Sequence, residues 1–152
     1  VDAGGYPTPS VSMPIGFRIA QIPVLNKVME VTLPRSMVES SVRNVYGQPE
    51  KVTPELVDRY YDLTLRAGNR AALAERFRQA PAGEGVDAIK TIKVPTLILW
   101  GGRDRLIPPE NGERFHQDIA GSQLVMFPAL GHVPHEEGAA VTVTAVRQFL
   151  AQ

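Results

Sequence analysis

The chain has no cysteine, which excludes disulfides and thiolate metal sites and leaves the redox compartment open. It has no net charge either: 16 Lys+Arg offset 16 Asp+Glu, so nothing invites nucleic acid or an anionic membrane. No apolar run approaches the roughly 20 residues that span a bilayer. Prolines and small residues recur at no fixed period, which argues against a repeat architecture. With only three histidines, any imidazole chemistry rests on His116, His132 or His135. None of the serines, Ser10, Ser12, Ser36, Ser40, Ser41 and Ser122, stands in G-x-S-x-G, the sharp strand-to-helix turn that exposes a nucleophile.

What is present concentrates between residues 94 and 136. Residues 96–100 form a continuous apolar run of strand length that stops at Gly101-Gly102. A strand apolar at every position is buried on both faces, the signature of a parallel sheet covered by helices. Asp104 lies just past its carboxyl end. A second run, residues 124–127, also ends in a turn, and His132 follows within a few positions. An acid and an imidazole on loops leaving buried strands lie where open α/β sheets place their chemistry.

These two stretches, L-I-L-W-G-G-R-D-R-L-I-P around Asp104 and F-P-A-L-G-H-V-P-H-E-E around His132, resemble the loops after the seventh and eighth strands of the α/β-hydrolase family. V-D-A-G-G-Y-P at residues 1–7 is similar to the segment that leads from the sixth strand of that family into its lid. The resemblance implies an α/β fold, here a partial hydrolase core with an all-helical lid. Residues 1–14 are then a strand end and loop, residues 15–85 the lid, and residues 86–152 the C-terminal part of the core. It also implies a nucleophile, serine or aspartate, upstream of Val1, because the family order is nucleophile, acid, histidine.

The helical signals fit this division. Residues 15–31 are largely apolar, with Pro23 expected to split them into two short helices. Residues 34–46 read as a helix closed by Gly47. Thr53-Pro54-Glu55 is a strong helix start, with Leu56, Tyr60, Tyr61 and Leu63 expected on the apolar face up to a stop at Gly68. Asn69 is expected to cap a helix over 70–79 that turns Ala71, Leu73, Ala74 and Phe77 inward. Residues 80–85 form the clearest linker, and a short helix over 86–92 feeds the strand. A helix over 109–119 carries Phe115 and Ile119 inward. The last, over 135–150, is expected to present Val141, Ala145, Val146, Phe149 and Leu150.

The resemblance assigns His132 as general base and Asp104 as the acid that fixes its tautomer. Read as residues alone, a loop histidine can also be satisfied by backbone bonds, and a turn aspartate can simply cap the following helix. Asp2 is the rival acid. An H-x-x-H pair of His132 and His135 could suggest a metal, but Pro134 breaks the helix that would align it, so no metal and no cofactor are expected. Glu136 and Glu137 suit the first turn of the last helix, and His116 a solvated helix face. Arg103 and Arg105 read as solvent-facing, and Trp100 as either pocket lining or core. Tyr46, Tyr60 and Tyr61 are similar to lid tyrosines that polarise an epoxide ring oxygen.

The expected function is ester-type hydrolysis of a small, largely apolar substrate by a nucleophile–His–Asp triad whose nucleophile is absent from these residues, which alone should not turn over. The alternative is a non-catalytic fragment or degenerate hydrolase acting as an interaction module. Expected partners are the small-molecule substrate and either the remaining N-terminal half or a second copy through the exposed sheet edge, with no nucleic acid and no membrane. A cytoplasmic location is the default expectation.

Overall fold

The computed structural model describes residues 1–7, 9–22, 32–79, 83 and 85–152, with the backbone alone at residues 20, 77 and 78. Its core is a pair of parallel strands, β1 (Leu97–Gly101) and β2 (Gln123–Phe127), in register from Leu97 opposite Gln123 to Gly101 opposite Phe127. Side chains alternate across a strand, and β1 uses both faces. Ile98 and Trp100 join Tyr6, Phe115 and Ile119 in one buried cluster; Leu99 joins Phe127, Leu130 and Ala145 in another.

The parallel connection runs through α6 (Glu110–Asp118), which covers the first face. Gly112 lies against the Trp100 ring, where an added Cβ would sit 2.9 Å from the indole, and the indole N–H donates to the Ile107 carbonyl at 3.2 Å. Trp100 is therefore core. The other face is covered from the C-terminal end, where α7 (Pro134–Glu137) and α8 (Ala139–Leu150) replace the single expected helix. They part at Gly138, whose φ of −136° and ψ of 53° leave the helical region.

Facing also differs from the periodicity reading. On α8 the buried positions are Thr142 and Ala145, while Val141, Val146 and Leu150 are exposed. Thr142 tolerates burial because its hydroxyl donates to the carbonyls of Gly138 and Ala139, both at 3.1 Å.

Residues 15–22 and 32–79 add a layer of helices: α1 (Ile15–Ala20), α2 (Arg35–Val45), α3 (Pro54–Leu65) and α4 (Asn69–Gln79), followed by the short α5 (Val86–Ile89). Helix α3 starts as its sequence dictates, with the Thr53 hydroxyl accepting from the Leu56 amide at 3.2 Å and Pro54 in the first turn. Its buried residue is Val57 and Leu63 is exposed, a correction to the expected face. Val57 joins Leu33, Val38, Val42, Tyr46 and Val52 in a third core cluster. On α4, Ala74 is buried but Ala71 is exposed, and Asn69 is helical with its side-chain Nδ2 donating back to the Leu63 carbonyl at 2.7 Å. The Phe77 side chain, Pro23 and the second short helix expected before residue 31 lie outside what is described.

Among the described residues the N-terminal segment forms no strand. Its backbone meets β1 at Asp2, whose N–H donates to the Leu99 carbonyl at 3.1 Å. No helix among the described residues is long and apolar enough to cross a membrane.

Candidate active site

β1 ends at Gly101, and the chain turns through Gly102 and Arg103, whose amides donate to the carbonyls of Phe127 and Leu130 at 2.8 and 2.9 Å. The Asp104 amide then donates to the Gly101 carbonyl at 3.1 Å, closing the turn. Asp104 Oδ1 accepts from the amides of Leu106 and Ile107 at 2.8 and 2.9 Å. The loop after the acid thus fixes its carboxylate, as aspartates do in turns. Oδ2 is left pointing at His132, with Nδ1 of the imidazole 2.8 Å away. The Asp104 side chain is fully buried, whereas the imidazole keeps 22% of its surface exposed. An ionised carboxylate can only accept, so Nδ1 carries the proton and Nε2 is the basic nitrogen.

Burial alone would lower the His132 pKa. The hydrogen bond and charge of Asp104, with a further contribution from Asp2, outweigh it and hold the imidazole above its ordinary value. Asp2 does not replace Asp104: its Oδ1 accepts from the Gly101 amide at 2.8 Å, and Oδ2 is buried without a hydrogen-bond partner among the described residues. Asp2 is also the non-glycine residue found at positive φ, 39°, a region aspartate tolerates. Burial pushes its carboxyl up to about 7; the Gly101 amide opposes this and the Asp104 charge adds to it. Asp2 thus braces the end of β1 and stands in electrostatic range of the acid–histidine pair.

His132 sits between β2 and α7, and its loop is held from outside. Its amide donates to the Val45 carbonyl at the end of α2, at 2.8 Å. Glu137 Oε1 accepts from the Gly131 amide at 2.7 Å and Oε2 from the Gly47 amide at 2.8 Å. Glu136 Oε2 accepts from the hydroxyls of Tyr46 and Tyr60, each at 3.0 Å. Both glutamates lie in the first turn of α7, as their charge suggests, and they also bond α7 to the helical layer. A single sequence carries little signal for this, since the partners of Glu137 are backbone amides that any residue supplies.

Other expectations are corrected by the same packing. Tyr46 and Tyr60 have their hydroxyls committed to Glu136, and Tyr61 donates to the Leu33 carbonyl at 3.2 Å, so none reads as a free polarising group. Burial, followed by the Glu136 contact, raises both Tyr46 and Tyr60 above the ordinary phenol range. Arg105 does not face solvent. Its guanidinium donates to the carbonyls of Arg43, Asn44 and Tyr46 at 3.3, 3.0 and 3.2 Å, where the end of α2 leaves acceptors unpaired and partially negative. Arg103 is exposed and reaches the Gly47 carbonyl at 3.4 Å.

Gly47 does not close α2 in a left-handed turn; Tyr46 ends the helix in an extended conformation. Glycine is needed there because a Cβ would come within 2.6 Å of the Gly131 amide nitrogen. His135 is exposed, and His116 is exposed with Nδ1 at 2.9 Å from the Ser122 hydroxyl. Among the described residues no three His, Asp or Glu side chains converge as a metal site. A cavity of about 210 Å³ opens within the helical layer, lined mainly by apolar groups including Phe17, Met37, Val42, Val45 and Leu73. Val45 connects it to the histidine loop, since the Val45 carbonyl holds the His132 amide.

Parallel strands delivering an acid and an imidazole from adjacent carboxyl ends, beneath a layer of helices, agree with the profile of the α/β hydrolase fold, which matches residues 23–139. The chain belongs to that family. Among curated relatives, it is 37% identical over 107 residues to a 2-hydroxy-6-oxo-2,4-heptadienoate hydrolase of Pseudomonas putida, covering 66% of this chain and 38% of that one. It is 32% identical over 85 residues to a pimeloyl-[acyl-carrier protein] methyl ester esterase of Neisseria meningitidis serogroup C / serotype 2a, covering 56% and 33%.

A mutant of the meta-cleavage product hydrolase from Pseudomonas fluorescens IP01 superposes with a TM-score of 0.76 at 22% identity, over 99% of this chain and 54% of that one. A thermophilic esterase from Thermogutta terrifontis gives 0.73 at 22%, over 99% and 53%. At such identity these two structures show a shared fold. The chain spans about a third of the length of its first curated relatives and about half that of the solved structures.

Proposed function

We propose that Asp104 and His132 are the acid and general base of a hydrolase triad, and that the nucleophile they serve lies on residues outside this chain. The observation that carries the reading is the 2.8 Å contact between Asp104 Oδ2 and His132 Nδ1, which leaves Nε2 basic on a partly exposed ring. A neutral imidazole so oriented accepts the proton of an attacking hydroxyl, or of the water that cleaves a covalent ester, and returns it to the leaving group. The buried carboxylate stabilises the imidazolium while that proton is held.

The helical layer acts as a lid, and its apolar cavity favours a small, largely apolar acyl or alkyl group while excluding water. Ester-type hydrolysis is the reaction class that the curated relatives support, one being named a methyl ester esterase. The apolar outer face of α8, with Val143, Val146 and Leu150 exposed, is surface that the remainder of the fold or a second copy would cover.

The test compares p-nitrophenyl ester turnover by these 152 residues alone and by the full-length protein. The expected result is no turnover by the short chain, activity in the long one, and a loss of about a thousandfold or more in kcat/KM on His132→Ala. Turnover by the short chain that disappears with His132→Ala would show that the nucleophile is within it. Undiminished activity of full-length His132→Ala would remove the histidine from the mechanism.

A further inference from the structure

The imidazole is aimed by Asp104, and the loop's own turn closes at Leu130, whose amide donates to the Phe127 carbonyl at 3.1 Å; the bonds that hold the Gly131 and His132 amides come from beyond that turn. Residues 130–132 and 45–47 run close together as bare backbone. The His132 amide bonds the Val45 carbonyl at 2.8 Å, and Gly131 and Gly47 meet without room for a Cβ on either. Backbones at that separation bring amide dipoles close to one another, and two N–H groups, those of Gly131 and Gly47, need an acceptor between them. Glu137 supplies both oxygens of one carboxylate, Oε1 to Gly131 at 2.7 Å and Oε2 to Gly47 at 2.8 Å. One residue beyond Gly131 is His132. A charged acceptor makes the stronger kind of hydrogen bond, and a carboxylate is the side chain that can accept from two opposed donors without offering one of its own.

We propose that Glu137 is a positioning residue for His132: it clamps the histidine loop to the end of α2, so that the helical layer sets where the imidazole stands over Asp104. The inference rests on the reading of Asp104 and His132 as a working pair. Its neighbour Glu136 grips the same layer differently, through the tyrosine hydroxyls of Tyr46 and Tyr60, and touches no atom of residues 130–132 in the hydrogen-bond pattern. Glu136 is therefore the internal control. The charged groups that bear on the clamp are Lys51, facing Glu137, and Asp104 and Asp2, facing His132.

The experiment is an NMR pH titration of the full-length protein and of Glu137→Gln, following the His132 ring and the backbone amides of Gly131 and Gly47. In the unmodified protein both amide protons should shift together as the Glu137 carboxyl titrates; their indifference to it would overturn the proposal without any variant being made. In Glu137→Gln the carboxamide nitrogen meets one of the two amides donor to donor. Exchange of Gly131 and Gly47 amides should then rise roughly tenfold to a hundredfold, the worth of a hydrogen bond to a charged acceptor, and the His132 pKa should drop back toward its ordinary value. Glu136→Gln should leave both readouts unchanged. Should Glu137→Gln not fold, Glu137→Asp keeps the charge but falls one methylene short and should show the same changes in part. A folded Glu137→Gln with wild-type exchange and wild-type His132 titration would overturn the clamp. These readouts need no turnover, so they stand apart from the catalytic test: activity that survives His132→Ala sinks the triad reading and leaves the measured clamp untouched.

Discussion

The two loops that carry the acid and the imidazole fix their functional residues on different plans. The Asp104 carboxylate is fixed by its own turn: Gly101 receives the Asp104 amide, and Leu106 and Ile107 donate theirs to the carboxylate, while the flanking Gly102, Arg103 and Arg105 tie that turn to the histidine loop and to α2. The His132 loop is held by the distant end of α2, through Val45 and Gly47, and by Glu137 in the first turn of the adjoining α7. A carboxylate fixed by its own turn depends less on what covers it. A loop stitched to its cover takes more of its geometry from that cover, which is the ground for proposing Glu137 as a positioning residue.

The comparison is sharpest at Asp104→Asn in the full-length protein. The asparagine oxygen can still accept from Leu106 and Ile107, so thermal stability should change little, while the amide group turned toward Nδ1 imposes the wrong tautomer. The expected loss in kcat/KM is about a thousandfold or more, together with a fall in the His132 pKa measured by NMR. Full activity in this variant would dissolve the distinction between holding the loop and serving the imidazole.

Gly47→Ala attacks the other plan. Because a Cβ there would press on backbone of residues 129–131, chemical denaturation should register a loss of about 3 kcal/mol. Gly4→Ala, where a Cβ would meet only the Ile107 side chain at 3.9 Å, serves as the neutral control. Equal stability of the two variants would mean that the backbone approach is not tight.

Asp2→Asn tests the brace between the loops. Since the folded carboxyl sits near 7 rather than at its ordinary 3.8, folding favours its protonated form. That contribution is fully present below about 3.8 and is lost as pH rises through 7. The asparagine variant should therefore gain on the order of 2 kcal/mol over wild type above pH 7 and nothing at pH 4, read from urea midpoints at the two pH values. A pH-independent difference would place the Asp2 carboxyl at its ordinary value. Arg105→Ala, which uncaps α2, is the smallest effect, about 1 kcal/mol in the same assay; no loss would make the guanidinium a passive neighbour of those carbonyls.

Much of this was legible in the chain because it is local. The run before Gly101 declares a strand buried on both faces, Thr53-Pro54 declares a helix start, and the order of the Asp104 and His132 motifs declares two loops of one sheet. Facing was harder. Residues 139–150 are apolar or small on nearly every side, so periodicity could not tell that Thr142 turns inward while Val141 and Leu150 turn out. Val57 and Leu63 pose the same ambiguity on α3. Arg105 was misjudged for a different reason, and the partners of Glu137 were not legible for the same one: they are main-chain carbonyls and amides, which carry no letter in a sequence.

By itself, then, the sequence determined most of the elements and which two loops carry the acid and the imidazole, because propensity, capping and turn chemistry act over a few neighbouring residues. Only the tertiary structure decided that Asp104 meets His132, that Glu137 joins Gly131 to Gly47, and that Arg105 caps a helix some 60 residues earlier. Those contacts depend on where packed elements bring bare backbone within hydrogen-bonding reach, and that is a property of the assembled core.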